Sequence, residues 1–359
     1  MKKAFIFTII MLLVYSASGG TAPLMQDGIS GDWTARIRDT KRGKEVMLQL
    51  RIERADRDND WGGWNWGMSV PVQDFRGLDQ NANGQTQFAL AREAGSIVFD
   101  GLMKDSNGVG SFKFTPNGSF IGAMRGLGYD NLSSEKLLSM TLHDVSTAYV
   151  NELKSAGYDK APVDKLMAMR IHGVSRAYIE KMRELGYDKL STDKLIATRI
   201  HRVNEEFIKE AESLGFKNLP IDKLIAMRIH RIDREAVNQA KAIGFPDLSL
   251  DKLMTMRIHK IDPEFVNSVR AMGYNDLSFD KIVSLRIHRV TGEFVKEMEE
   301  AGFRQIPVDK LLTLRIHNID SKFIKEMRDA GYTNLSLDDL VRLRISGIDG
   351  NAIRRMRDK

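Results

Sequence analysis

From residue 117 to the end of the chain, apolar residues follow two helical patterns that take turns. In the first they hold one face only, as Tyr178, Ile179, Met182 and Leu185 do in one stretch and Phe265, Val266, Val269 and Met272 in another. In the second, blocks such as Leu224, Ile225, Ala226, Met227 and Ile229 are apolar almost all round, which predicts the buried member of a helix pair. The pair recurs every 29 residues, and all seven histidines, His143, His172, His201, His230, His259, His288 and His317, mark the period. Such self-similarity predicts eight two-helix units over residues 117–348 and a closing half unit over residues 349–359.

The punctuation of the chain agrees with that period. Ser175, Asn204, Asp233, Asp262, Thr291 and Asp320 stand where a side-chain oxygen caps the first turn of the amphipathic helix. A glycine ends that helix in every unit, Gly128, Gly215 and Gly331 among them, and an aromatic follows each time, which predicts a left-handed turn with the ring folded back on the helix. The second helix opens at a serine or at Pro162, Pro220 or Pro307, carries an aspartate such as Asp222 or Asp280 in its first turn, and has a small residue at its centre. About ten buried side chains at roughly 1.5–3 kcal/mol each do not outweigh a backbone ordering cost of roughly 1–2 kcal/mol per residue, so a single unit is not stable alone. The expectation is an elongated α-solenoid with nearest-neighbour cooperativity and atypical ends, where Thr141 replaces arginine in the first unit and Ser346 replaces histidine in the last.

Residues 23–116 change period from helical to two. Trp33, Ala35 and Ile37, then Val46, Leu48, Leu50 and Ile52, then Trp64, Trp66, Met68 and Val70 alternate with polar residues, and three further stretches at 87–91, 96–102 and 110–115 do the same. The prediction is a small antiparallel β-domain of about six strands, a sandwich or an open barrel, and hence an α+β multidomain chain. Pro116 closes the last strand and Asn117 caps the first repeat helix, so no linker separates the two parts. Residues 1–22 read as a signal peptide: two lysines, an apolar run too short for a comfortable membrane span, then small residues. That predicts export, to the periplasm or beyond, with no stable membrane insertion once the segment is removed. The absence of cysteine excludes disulfides and thiol chemistry.

Charge adds a mild bias. The formal charge is +6, and the repeats hold 40 basic against 35 acidic residues, which does not argue for nucleic acid. A basic edge is nevertheless written into the repeat as Arg199, His201 and Arg202, then Arg228, His230 and Arg231, Arg257, His259 and Lys260, and Arg286, His288 and Arg289. Those cations could meet an acidic partner, or the arginines could form a ladder with the aspartate column, and the bidentate geometry of arginine favours the ladder. One histidine per layer places neighbours roughly 10 Å apart, too far for a shared metal ion, so the histidines read as helix-terminal residues. Trp61, Trp64 and Trp66 could form a stacking platform for a sugar, although alternation places Trp64 and Trp66 in the core. Asp79, Asn81, Asn83 and Gly84 begin like a calcium loop, but Leu90 stands where the bidentate glutamate belongs, so a hairpin turn is the reading; Asp56, Asp58 and Asp60 are similarly incomplete. No His-Glu-x-x-His, Gly-x-Ser-x-Gly or phosphate-binding glycine loop is present, and neither a cofactor nor a metal is expected.

The stretch Phe88-Ala-Leu-Ala-Arg-Glu-Ala-Gly-Ser-Ile-Val-Phe-Asp-Gly, then Gly110-Ser-Phe-Lys-Phe-Thr-Pro-Asn, then repeats of the form Leu-Arg-Ile-His-x-Val, resembles the extracytoplasmic region of bacterial BlaR/MecR-like antirepressor metallopeptidases. The membrane helices and zinc-binding motif of those peptidases are not in this sequence. The resemblance implies a sensing or docking region without the enzyme and carries over no catalytic residue. The expected function is a non-enzymatic protein-binding scaffold or sensor-type module whose partner is another envelope or secreted protein of a Gram-negative-type bacterium. The rivals are a binder of an acidic polymer or glycan, through the basic edge and the tryptophans, and a hydrolase working through carboxylates alone.

Overall fold

Period-two alternation in residues 29–116 produces one antiparallel sheet. The structure, a computed structural model, describes residues 28–41, 43–52, 64–350, 352 and 355. The signal-peptide segment, Asp56, Asp58, Asp60 and Trp61 lie outside the described residues. The strands are β1 (Ile29–Thr40), β2 (Gly43–Ile52), β3 (Trp64–Pro71), β4 (Phe75–Arg76), β5 (Gly84–Arg92), β6 (Gly95–Lys104) and β7 (Asn107–Pro116), in the order β3-β2-β1-β7-β6-β5-β4. Six of these are the strands that the alternation predicts, while β4, at two residues, is too short to alternate. The Asp79 region is the turn before β5, where the Asp79 carboxylate accepts the Asn81 N–H at 2.9 Å.

One face of the sheet is the core. Trp33, Leu48, Leu50, Phe88, Leu90, Ile97, Phe99, Phe112 and Phe114 are buried on it. The Trp33 ring meets Phe88 edge-on at 5.2 Å, and Phe88 stacks on Phe99 at 4.8 Å. Two strands separate β1 from β5 in the sheet, so the Trp33–Phe88 contact requires the sheet to curl over its own apolar face. A single curled sheet therefore does the work expected of a sandwich or an open barrel.

The repeats follow directly from Pro116. They comprise α1 (Gly118–Gly126) and α2 (Ser134–Leu142), α3 (Thr147–Ser155) and α4 (Val163–Ile171), α5 (Arg176–Glu184) and α6 (Thr192–Ile200), α7 (Glu205–Ser213) and α8 (Ile221–Ile229), α9 (Arg234–Ala242) and α10 (Leu250–Ile258), α11 (Pro263–Ala271) and α12 (Phe279–Ile287), α13 (Gly292–Glu300) and α14 (Val308–Ile316), and α15 (Ser321–Asp329) and α16 (Leu337–Ile345). The chain divides into two compact units, Met1–Met182 and Arg183–Lys359, with the boundary inside α5 rather than at the 116/117 junction.

Interlocking of the sheet with the first helices explains why those helices belong to the first unit. Helix α2 packs on β1, β6 and β7. At the β5–β6 turn, Arg92 donates to the last carbonyls of α2, those of Thr141 at 2.9 Å and Leu142 at 2.6 Å, and pairs with Asp74 at 2.6 Å. The next residue, Glu93, accepts the backbone N–H of Thr147 at the start of α3, at 2.8 Å. A cation thus meets a helix C-terminus and an anion a helix N-terminus, as the helix dipoles favour. One repeat later Glu152 serves Arg176 N–H in the same way at 2.9 Å, so the hairpin offers α3 what a preceding repeat would. Thr141 stands in the arginine column because it is fully buried there, its hydroxyl donating to the Leu137 carbonyl.

Within the second unit the capping scheme holds residue by residue. Asn204, Asp233, Asp262, Thr291 and Asp320 accept backbone N–H groups of the first turns of α7, α9, α11, α13 and α15. The glycine after each of these helices has a φ of 92–97°. The aromatic that follows has a second task where the next layer opens at proline. Tyr187 donates its hydroxyl to the Leu219 carbonyl at 3.0 Å and Tyr274 to the Ile306 carbonyl at 2.6 Å, one residue before Pro220 and Pro307. Burial, then the charge of Glu299, raises the Tyr274 hydroxyl pKa above its ordinary value, so its contribution is whole at neutral pH and fades as pH rises beyond the ordinary tyrosine pKa of about 10. Tyr274→Phe is expected to lose about 1 kcal/mol at pH 7 by urea titration, and less in strong alkali.

The lysines, rather than the arginines, build the ladder with the aspartate column. Lys194 meets Asp222 at 2.8 Å and Lys252 meets Asp280 at 2.9 Å; Lys223–Asp251, Lys281–Asp309 and Lys310–Asp338 repeat the contact, and Lys136–Asp164 does so in the first unit. These pairs are exposed, so each contributes at most about 1 kcal/mol.

Candidate functional site

The predicted basic edge separates into three groups of residues. The arginines are largely committed to holding layers together. Arg228 lies over the Phe207 ring at 3.8 Å and donates to the Arg202 carbonyl at 3.1 Å. Arg286 lies over Phe265 at 4.6 Å and donates to the His259 carbonyl at 3.3 Å. Arg315 over Phe294 and Arg344 over Phe323 do the same. Arg257 has Ala236 at the place of those phenylalanines, and instead donates to Gln239 at 2.9 Å and pairs with Asp233 at 3.7 Å. A guanidinium that stacks on its own layer's aromatic and caps the carbonyls at the end of the preceding layer's second helix is a structural clamp between layers. Arg199 is exposed.

The histidines are C-caps. His201, His230, His259 and His288 are half-buried, and their backbone N–H groups donate to the carbonyls four residues earlier. Among the described residues no group of three His, Asp or Glu side chains could hold a metal ion.

The third group behaves differently. Arg202, Arg231, Lys260 and Arg289, one residue past each histidine, are exposed and have φ between 52° and 54°. This left-handed conformation costs a non-glycine residue about 1 kcal/mol or more. The same position holds Gly173, Asn318 and Gly347 in other layers, residues that adopt it more readily. Arg231→Gly is therefore expected to raise stability by about 0.5 kcal/mol, the relief of strain exceeding the added freedom of the unfolded chain. A higher urea midpoint checks it; an unchanged or lower one contradicts it.

One more column belongs to this edge and is not in the basic pattern. Ile200, Ile229, Ile258, Ile287, Ile316 and Ile345, each one residue before the C-cap, are 49–64 % exposed, and Ile171 in the first unit is alike. The second helix is thus not buried all round as its composition predicts: in α8 only Ile221, Leu224 and Met227 are buried, whereas Ile229 faces solvent. The signal was present, since an isoleucine recurs at one place in seven of the eight units, but composition alone does not tell an aliphatic residue in the core from one outside it.

In the first unit, Trp66 is only half-buried, not part of the core as alternation predicts. It lines an open cleft of about 730 Å³ with Met68 on β3, Leu142 and His143 at the end of α2, and Met167 on α4. Trp64 lies two residues earlier on β3, opposite Ile52 of β2. Burial, then the charge of Arg92, lowers the pKa of His143, so the imidazole is neutral at pH 7.

No protein-family model, curated protein or solved structure matches the chain. The antirepressor likeness accordingly rests on the residues quoted for it.

Proposed function

We propose that this chain is an exported, non-enzymatic protein-binding scaffold whose repeat array docks another envelope or secreted protein. The observation that carries the reading is the isoleucine column of the second unit: six layers each leave an aliphatic side chain 49–64 % exposed at the same place in the repeat. Exposed apolar surface is costly to keep on a soluble protein, and a regularly repeated strip of it marks an interaction site. Repeat arrays suit such a task, because each layer adds the same contact and affinity grows with the number engaged. The signal-like segment 1–22 supports the envelope as the setting, and the absence of catalytic motifs from the sequence supports a binding role over an enzymatic one.

The test is capture from an envelope extract by the chain lacking residues 1–22, set against the variant Ile229→Gln/Ile258→Gln/Ile287→Gln. Glutamine keeps helix propensity and adds no charge, so the variant should melt as the native chain does. Recovery of one protein by the native chain and its loss with the variant is the expected result. Equal recovery by both would overturn the reading.

A further inference from the structure

We infer that the partner surface received by this edge is an acidic polypeptide with aliphatic side chains set among its carboxylates, an inference that rests on the scaffold reading above. The apolar half of the requirement comes from the exposed isoleucines. The acidic half comes from Arg202, Arg231, Lys260 and Arg289, which follow the isoleucines two residues later in four consecutive layers of the second unit.

These four hold a backbone conformation that their residue types disfavour, φ 52–54°, although the repeat uses glycine at the same place in Gly173 and Gly347. Residues kept against backbone preference, with their side chains in solvent, point to a use for the side chain. The helix dipole does not supply that use for Arg202, Lys260 and Arg289: guanidinium groups of the following layer already donate to carbonyls at the ends of the helices before them, Arg228 to Arg202, Arg286 to His259 and Arg315 to Arg289. Nor do the nearest carboxylates in sequence neutralise the run. Among the described residues none of the four is in an ion pair: Asp233 accepts the Ala236 N–H and pairs with Arg257, Asp262 accepts the Phe265 N–H, Glu205 pairs with Lys209, and the aspartates of the second helices pair with lysines. Each layer from Arg202 to Arg289 therefore carries an exposed isoleucine and, two residues on, an exposed cation outside any ion pair among the described residues, a surface complementary to carboxylates interspersed with aliphatic groups.

Glycine replacement separates function from folding at these sites. The variant Arg202→Gly/Arg231→Gly/Lys260→Gly/Arg289→Gly keeps the left-handed turns and should melt no lower than the native chain. Binding is read by fluorescence anisotropy with a labelled, end-blocked peptide of alternating Glu and Leu, alongside poly-glutamate of equal length, a Lys–Leu counterpart and heparin. The expected result is that the Glu–Leu peptide binds best, that the glycine variant weakens it at least tenfold, and that the isoleucine-to-glutamine variant does likewise. No binding of the Glu–Leu peptide, equal binding by the glycine variant, or equal binding of the Lys–Leu peptide would overturn the inference. Tighter binding of heparin, indifferent to the isoleucines, would make the edge a polyanion site instead. Capture of the envelope partner keeps the two readings apart: loss with the glutamine variant but not the glycine variant leaves the scaffold standing and removes the acidic partner, whereas loss with neither removes both.

Discussion

Arg92→Ala is expected to destabilise the first unit by about 3 kcal/mol, among the largest effects of any single substitution in the chain. The guanidinium is only 14 % exposed and serves three acceptors at once: the Thr141 and Leu142 carbonyls and the Asp74 carboxylate. Truncation removes the guanidinium donor from two helix-terminal carbonyls and the ion-pair partner from the Asp74 carboxylate, and hydrogen bonds to a charged group are worth roughly 1.5–3 kcal/mol each in such settings. Arg92→Lys should recover only part of the loss, because one ammonium lacks the planar fork that reaches both α2 and Asp74. All four tryptophans, Trp33, Trp61, Trp64 and Trp66, fall in sequence within Met1–Met182, so tryptophan fluorescence follows the first unit while far-UV dichroism is dominated by the helices. The fluorescence midpoint in urea should fall markedly and the helical transition much less. Coincident small shifts in both would show that the clamp contributes little.

Gly110→Ala should cost a similar amount, about 3 kcal/mol, for a different reason. Gly110 faces Gly101 across β6 and β7, and a Cβ built on Gly110 would lie 2.0 Å from the Asp100 carbonyl oxygen and 2.6 Å from the Gly101 Cα. A Cβ on Gly101 would lie 2.2 Å from the Val109 carbonyl oxygen. Both obstacles are backbone, so no rotamer relieves them and the two strands must separate. That would open the sheet where it curls, pulling Trp33 away from Phe88 and Phe99. Gly122→Ala is the matched control: it lies inside α1 with nothing within 4 Å of the added carbon, and should be neutral or stabilising by up to about 1 kcal/mol. If both alanines behaved alike, close packing of the glycine pair would not be what shapes the sheet.

The parts of this protein legible in its sequence are those governed by contacts within a few residues. A cap accepts an N–H two or three residues on, a left-handed glycine ends the same helix, and alternation of Trp33, Ala35 and Ile37 puts all three on one side of a strand; each is local chemistry, and period 29 multiplies it. What one layer does for the next was not legible. That lysine rather than arginine meets the aspartate column depends on the register between neighbouring second helices, which brings Lys252 to Asp280 across 28 residues and leaves Arg286 over Phe265. Arg92 and Glu93 read as ordinary hairpin residues until the fold carries that hairpin to the ends of α2 and α3.

The candidate site divides along the same line. Sequence alone determined that each layer ends in Ile-His followed by a basic residue through the middle of the array, because the repeat writes it out. Only tertiary structure decided that the isoleucine lies in water, that most of the arginines before the histidines are held against an aromatic, and that the residue after the histidine takes a left-handed turn with its side chain exposed. Composition records which groups a chain carries, whereas exposure depends on which side of a helix its neighbours cover, and that is settled only when the layers pack.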